Sequence, residues 1–244
     1  MPTPASEVVV NRLIDSLPRA QREGFLAQCT PEQLVFGEVL SSPGTPAEHV
    51  HFPLTGFISL VTSMDGHGPL EVGMIGNEGM LGATLALGIE SAPMRGVVQG
   101  SGTALQMSAA QFHGQLGRSP DLRRTLNGYL CVQLEQLVQT AACNSFHEVL
   151  ERLARWLLMT HDRAHGHSFH LTHQFLADML GVRRSAVTIA AGELQRRGFI
   201  RYSRGRIEVL SRRGLESAAC ACYSASVSMY DRHLPVITPR RGAP

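Results

Sequence analysis

The sequence predicts an α+β chain with an N-terminal antiparallel β-roll, one long helix and a C-terminal winged helix-turn-helix. Three observations carry this. Residues 33–112 set short alternating apolar runs between frequent Gly and Pro, the pattern of many short strands and tight turns. Residues 119–142 switch to helical period. Residues 171–210 hold two short helical patterns joined by a glycine and followed by a small hairpin. The boundaries expected are 1–118 for an N-terminal arm and the roll, 119–143 for the long helix, 144–234 for the winged-helix domain and 235–244 for a flexible tail.

A chain of 244 residues with 43% hydrophobic content suits one large globular domain or two ordinary ones. Its net charge of +2 conceals a split. Residues 1–150 carry seven Arg against thirteen acids, and residues 151–244 carry fifteen Arg against seven, a change from −6 to +8. A basic C-terminal half beside an acidic N-terminal half points to a polyanion as partner of the former. The longest apolar runs, Val8-Val9-Val10 and Trp156-Leu157-Leu158-Met159, fall far short of the ~20 residues of a membrane span. The N-terminus has no basic-then-apolar signal pattern, so a cytoplasmic chain with no membrane partner is expected. Five cysteines, at 29, 131, 143, 220 and 222, are an odd number without framework spacing and fit a reducing compartment. No Walker loop, HExxH or GxSxG turn is present, and no enzyme is expected.

Taken in order, the chain opens on a Pro-rich tip and a short helix around residues 8–17, an arm that packs on the next domain. Within 33–112 the strand candidates include Leu34-Val35-Phe36, Phe57-Ile58-Ser59-Leu60-Val61, Leu70-Glu71-Val72, Gly96-Val97-Val98 and Ala104-Leu105-Gln106-Met107. Pro120 and Asp121 suit the first turn of the long helix, where a missing N–H is harmless and negative charge meets the positive end of the dipole. Its apolar stripe, Leu122, Leu126, Tyr129, Leu130, Leu134, Leu137 and Ala141, can serve a two-chain coiled coil as well as a core. A further amphipathic helix covers residues 146–163, and residues 161–170 form a loop.

The helix-turn-helix is the most legible stretch. Thr172 is a good N-cap, and Leu176, Met179 and Leu180 recur at helical spacing until Gly181 provides a left-handed stop. Val187, Ala190, Ala191 and Leu194 then line the buried face of a second helix. Arg184, Ser185 and Thr188, with Ile189 beside them, fall on the opposite face. Residues 199–210 read as a hairpin with a basic tip at Arg204 and Arg206, the wing. Such a unit lays its second helix in the major groove of double-stranded DNA. Ser211 then caps a final helix running through Leu215, Ala218, Ala219, Cys222 and Met229.

The stretch 171–210 resembles the DNA-binding domain of the Crp/Fnr family of bacterial transcription regulators, and the resemblance extends over roughly residues 30–215. Phe52-Pro53-Leu54-Thr55-Gly56-Phe57-Ile58 and Ile75-Gly76-Asn77-Glu78-Gly79-Met80-Leu81-Gly82 match recurring turns of the family's cyclic-nucleotide-binding β-roll. The resemblance implies a homodimer joined along the long helix, binding a pseudo-palindromic operator. Arg184 takes the place of an arginine that reads guanine, and Arg183 stands beside it. Ser185 stands where the cyclic-AMP receptor member has glutamate and Ile189 where it has arginine, so a different half-site is expected. Ile189 suits a thymine methyl but not a guanine edge. His173 and Gln174, with Arg204 and Arg206 of the wing, take phosphate-contacting positions. RNA polymerase and a small-molecule effector are the further partners the resemblance implies.

The effector pocket departs from the cyclic-AMP pattern. That pattern uses a Gly-Glu pair for the ribose and an Arg followed by Ser or Thr for the cyclic phosphate. Here Gly82 is followed by Ala83, and Arg95 is followed by Gly96. Glu78 supplies a carboxylate under a shifted alignment. Alanine accepts no hydroxyl hydrogen bond, so another nucleotide, or no small ligand, fits better than cyclic AMP. With only Cys29 in the N-terminal region, the iron–sulfur cluster of the oxygen-sensing branch is not expected. The rival reading is a ligand- or metal-sensing signalling protein whose winged helix binds protein.

The histidines at 161, 165, 167, 170 and 173 raise the question of a metal, and His161 and His165 stand one helical turn apart. No cysteine or clustered carboxylate completes a set beyond Asp162, so a polar surface loop and no metal are expected. Cys220 and Cys222, two apart on one continuous helix, would lie about 200° around it and could not share an ion.

Overall fold

The computed structural model describes residues 10–234 apart from 67, 165 and 167; the expected Pro-rich tip and the tail from 235 lie outside the described residues. The arm holds two short helices, α1 (Arg12–Asp15) and α2 (Arg19–Leu26). Asn11 caps α1 by accepting from Leu13 N–H. Its Nδ2 donates to the carbonyls of Pro53 (3.1 Å) and Gly79 (2.8 Å), pinning the arm to the roll. Helix α1 is shorter than the expected span, because Pro18 ends any continuation.

The roll comprises β1 (Thr30–Leu34), β2 (Val39–Ser41), β3 (His49–Pro53), β4 (Phe57–Thr62), β5 (Leu70–Ile75), β6 (Arg95–Gly100) and β7 (Gly102–Ser108). A short 3-10 helix, Ala83–Leu87, lies between β5 and β6. All pairings are antiparallel, in a three-stranded sheet ordered β1-β7-β3 and a four-stranded sheet ordered β2-β6-β4-β5. Leu34, Ile58, Leu60, Ile75, Leu81, Val98 and Ala104 form a core within the roll. Gly56 has φ +73°, and a Cβ there would stand 2.3 Å from the carbonyl oxygen of Gly100, so the β3–β4 turn admits only glycine.

Helix α3 (Ala109–Arg118) starts with a capping box between Ser108 and Gln111. Helix α4 (Pro120–Phe146) follows, its N-cap Ser119 accepting from Leu122 N–H and Pro120 at its first turn. The single apolar stripe expected on α4 divides in two. Leu122, Leu126, Tyr129 and Val132 are buried inside the subunit. Leu134 and Val138 are instead 63% and 64% exposed. The exposed positions Asn127, Cys131, Leu134, Val138, Ala141 and Ser145 recur at alternating spacings of four and three, the spacing of a heptad repeat.

The C-terminal domain begins with α5 (Val149–Ala164) and continues through β8 (Ser168–His170), α6 (His173–Leu180), α7 (Arg184–Arg196), β9 (Ile200–Ser203), β10 (Arg206–Val209) and α8 (Arg212–Ala218). Leu153, Leu157, Leu176, Val187, Leu194, Ile207 and Leu215 are fully buried together, each contributing about 1.5–3 kcal/mol relative to exposure. Residues 168–170, expected in a loop, pair with β10 and make the wing a three-stranded sheet ordered β8-β10-β9.

The single final helix expected after Ser211 is two. Helix α8 ends at Ala218, Ala219 turns to extended backbone (φ −78°, ψ 151°), and α9 (Cys222–His233) starts afresh. Leu215 and Ala218 pack in the winged-helix core, whereas Met229, Tyr230 and Leu234 pack with α4 and the arm. Two cores in different places cannot be served by one straight helix, hence the break. Among the described residues no helix is long and apolar enough to cross a membrane.

Candidate nucleic-acid interface

Helix α6 is capped by Thr172, whose side chain accepts from Phe175 N–H, and ends at Gly181 with φ +63°. Arg183, in extended backbone at φ −69°, is the N-cap of α7. The buried side of α7 is Val187, Ala190, Ala191 and Leu194, as the spacing requires. Arg183, Arg184, Ser185 and Thr188 are all exposed, and Ile189 is 74% exposed. An isoleucine so placed packs little within the subunit.

Two of the expected phosphate-contacting residues differ in how free they are. His173 Nδ1 lies 2.9 Å from Thr188 Oγ1, and its ring stacks on Tyr202 of the wing at 4.2 Å between centroids. Thr188 donates to the carbonyl of Arg184 at 3.1 Å, so His173 Nδ1–H must be the donor to Thr188. Burial, and then the charge of Arg184, lower the His173 pKa and keep the ring neutral. His173 therefore joins α6, α7 and the wing. Gln174 is exposed and reaches only Asp178 on its own helix, at 2.8 Å.

At the wing tip Arg204 has φ +49° and Gly205 φ +78°, the two left-handed residues of a type I′ turn. Arg204 and Arg206 are exposed, and Arg206 donates through Nε to Ser168 Oγ. Arginines at the head of α7 and at the wing thus stand on two separate elements of the domain.

The residues singled out for an effector are not brought together. A cleft of about 490 Å³ opens in the roll, with Gly82 and Ala83 in its wall and Gln133 of α4 on one side. Neither Glu78 nor Arg95 lines it. Arg95 is exposed on β6. Glu78 is buried against Arg163 of α5, Oε1 to Nη2 at 2.7 Å, and 3.4 Å from the hydroxyl of Tyr230 on α9. The cleft contains no guanidinium. Its ionisable lining is instead Glu32, Glu48, His49 and His51; Glu32 and His51 are joined at 2.7 Å, with burial lowering the His51 pKa more than Glu32 raises it.

Metal-ligating residues also gather where the sequence did not suggest. His165 and His167 lie outside the described residues, and His161 accepts contact from Arg212 Nη1 at 3.0 Å. Cys143, His147, Cys220 and Cys222, by contrast, place their ligand atoms within 4.8 Å of one another. The expectation that Cys220 and Cys222 lie apart on one helix is thereby corrected, because Cys220 sits in the break between α8 and α9. Nothing in the local sequence reveals this, since the two pairs are more than seventy positions apart.

Residues 151–218 match the family model of the Crp-like helix-turn-helix domain. No curated protein matches the chain by sequence. Solved structures do. FixK2 from Bradyrhizobium japonicum is 18% identical, with 79% of this chain and 98% of that one covered and a TM-score of 0.63. The c-di-GMP-responsive global regulator CLP from Xanthomonas campestris is 20% identical, with 79% and 99% covered and a TM-score of 0.61. A candidate Crp/Fnr-family transcriptional regulator from Eubacterium rectale is 16% identical, with 84% and 96% covered and a TM-score of 0.65. At such identities the likeness speaks for the fold.

Proposed function

From a Crp-like helix-turn-helix domain carried on the fold of Crp/Fnr regulators, we propose that this protein is a sequence-specific, DNA-binding transcription regulator that works as a homodimer. One observation carries the reading: the outward face of α7 presents Arg184, Ser185, Thr188 and Ile189 to solvent. Arg184 suits the O6 and N7 acceptors of a guanine, and Ile189 a thymine methyl. The wing arginines Arg204 and Arg206, with Gln174, hold phosphates and set register. The heptad seam on α4 joins two copies, which places two recognition helices about one turn of DNA, 34–36 Å, apart.

The effector reading follows from the cleft. Without a guanidinium, and with the carboxylate of Glu32 in its wall, it disfavours a cyclic phosphate. A neutral or cationic small molecule is the better match to this lining than cyclic AMP.

The test is a gel shift on the protein's own upstream DNA against random duplex, with Arg184→Ala alongside. Losing one bidentate base contact in each half-site weakens specific binding of the dimer by about 2–6 kcal/mol, at least about 30-fold, while random-duplex binding falls only by the loss of one charge per protomer. Equal loss on both DNAs would remove the base-reading role of Arg184. Failure of the wild-type chain to bind either DNA would remove the reading itself.

A further inference from the structure

The last residues of α4 and the break between α8 and α9 meet at a cluster of three buried cysteines and a histidine. Cys143 is fully buried, and Cys220 and Cys222 are nearly so. Cys143 Sγ lies 3.6 Å from Cys220 Sγ, and Cys222 Sγ lies 3.5 Å from His147 Nδ1. Zinc in tetrahedral coordination has Zn–S near 2.3 Å and Zn–N near 2.0–2.1 Å, which gives edges of about 3.8 Å between two sulfurs and about 3.5 Å between sulfur and nitrogen. The two distances lie within about 0.2 Å of those edges, and all four ligand atoms lie within 4.8 Å of one another. A disulfide needs about 2.05 Å between sulfurs, and all described cysteines are free thiols.

The surroundings have the charge such a site requires. Three thiolates, a neutral imidazole and a divalent ion sum to −1. Arg152 and Arg155, both more than nine-tenths buried, stand within electrostatic reach of the thiols, and neither forms a salt bridge among the described residues. The Nε atoms of both are buried with no hydrogen-bond partner, while Arg152 Nη2 donates to the Leu180 carbonyl and Arg155 Nη2 to Thr140 Oγ1. Buried cations without a salt bridge are costly, and an anionic metal–thiolate centre compensates them. Gln139 Nε2 donates to Cys222 Sγ at 3.0 Å, the N–H···S contact that steadies a metal-bound sulfur.

We propose that Cys143, His147, Cys220 and Cys222 bind one zinc ion in a closed Cys₃His site. Binding releases the three thiol protons to solvent and leaves no coordination position for substrate, so the site is structural rather than catalytic. His147 caps α4 four residues after Cys143, so both face one side of the helix end, and the α8–α9 break supplies the other two ligands. The ion would clasp the connection leading into the winged-helix domain to the connection leading out of it.

The proposal is tested on the full chain, purified in reductant without chelator. Elemental analysis should find one zinc per chain. The metal-free chain given cobalt(II) should develop the thiolate-to-cobalt charge-transfer band expected of three sulfurs and the intense visible absorption of a tetrahedral ion. Cys222→Ser should lose a third of the charge-transfer intensity, and Gln139→Ala should weaken binding by about 10-fold. Cys29→Ser and Cys131→Ser should leave stoichiometry and spectrum unchanged. The proposal falls if the wild-type chain leaves cobalt with its weak, octahedral aqueous spectrum. It also falls if a Cys143–Cys220 disulfide is recovered from the reduced protein, or if a Cys143→Ser/Cys222→Ser double variant keeps its zinc.

Discussion

Trp156 of the winged-helix domain donates its indole N–H to the carboxyl of Glu71, in the β-roll, at 2.8 Å. Glu71 is buried and also lies 2.5 Å from Ser59 Oγ, which in turn is 2.8 Å from Gln99 Oε1. Ser59 has one hydroxyl proton and cannot donate to both oxygens. The network is satisfied when Glu71 is protonated and donates to Ser59, which then donates to Gln99. Burial pushes the Glu71 pKa up to about 7, against the lowering effect of its hydrogen bonds and of Arg155 and Arg163.

That protonation makes stability depend on pH. The folded pKa lies above the unfolded one, so the stabilisation is complete below about pH 4.5 and is lost as pH rises to about 7, where the folded carboxyl ionises. The loss is on the order of 3 kcal/mol. Glu71→Gln, which keeps a donor for Ser59, should flatten this fall, and urea melts at pH 5 and pH 8 would measure it. A variant whose pH dependence matches the wild type would show that Glu71 is ionised in the fold.

Arg204 occupies a left-handed backbone position without being glycine. Arg204→Gly relieves about 1 kcal/mol of backbone strain, so the melting temperature should hold or rise slightly. DNA affinity should fall alike on operator and random duplex, and the slope of log K against log salt should shrink by about 1.8 for the dimer, about 0.9 for each wing. Titrations at three or more salt concentrations decide this; an unchanged slope means the wing tip does not touch phosphate.

The α4 seam sets Cys131 and Leu134 on the face assigned to the second copy. Mild oxidation should link two chains through Cys131, and Cys131→Ser should abolish the covalent dimer. Leu134→Asp buries charge in that seam and should shift the chain to monomer by light scattering, with loss of operator binding. A dimer of undiminished strength in Leu134→Asp would place the interface elsewhere.

Glu78 and Arg163 are each 8% exposed at the side chain. Removing one partner strands a buried charge, so Glu78→Ala should cost about 3–5 kcal/mol, and Glu78→Ala with Arg163→Met should recover much of that loss. Denaturant melts of the two single variants and the double variant give the coupling directly.

The helix-turn-helix was legible because its signals are local. Thr172, Gly181 and the spacing from Val187 to Leu194 each act within a few residues. The roll was legible in kind but not in pairing, since β7 joins β1 and β3 from opposite ends of the domain. On α4 the sequence merged two apolar faces, because Tyr129 and Leu134 look alike to a periodicity and differ only in what packs on them. Glu78 matched a turn pattern, yet its partners Arg163 and Tyr230 come from far along the chain. The cysteine cluster shows the same limit most clearly: Cys143 and Cys220 meet only because α9 doubles back.

That return of α9 changes the mechanics of the molecule. The chain enters the winged-helix domain after α4, around 147–148, and leaves it again at 219–221 to lay α9 against α4, with Glu135 gripping Arg232 and His233. Both crossings pass through one spot, where the cysteines gather. Two strands tethered at a common point act as a ball joint: the domain keeps its distance but not its bearing. Bearing is left to the contacts away from that pivot, among them Trp156 with Glu71, Arg163 with Glu78 and Gln99 with Met179. Together with Phe57 and Met74, which pack into the winged-helix core, those side chains set the angle at which α7 is offered to DNA.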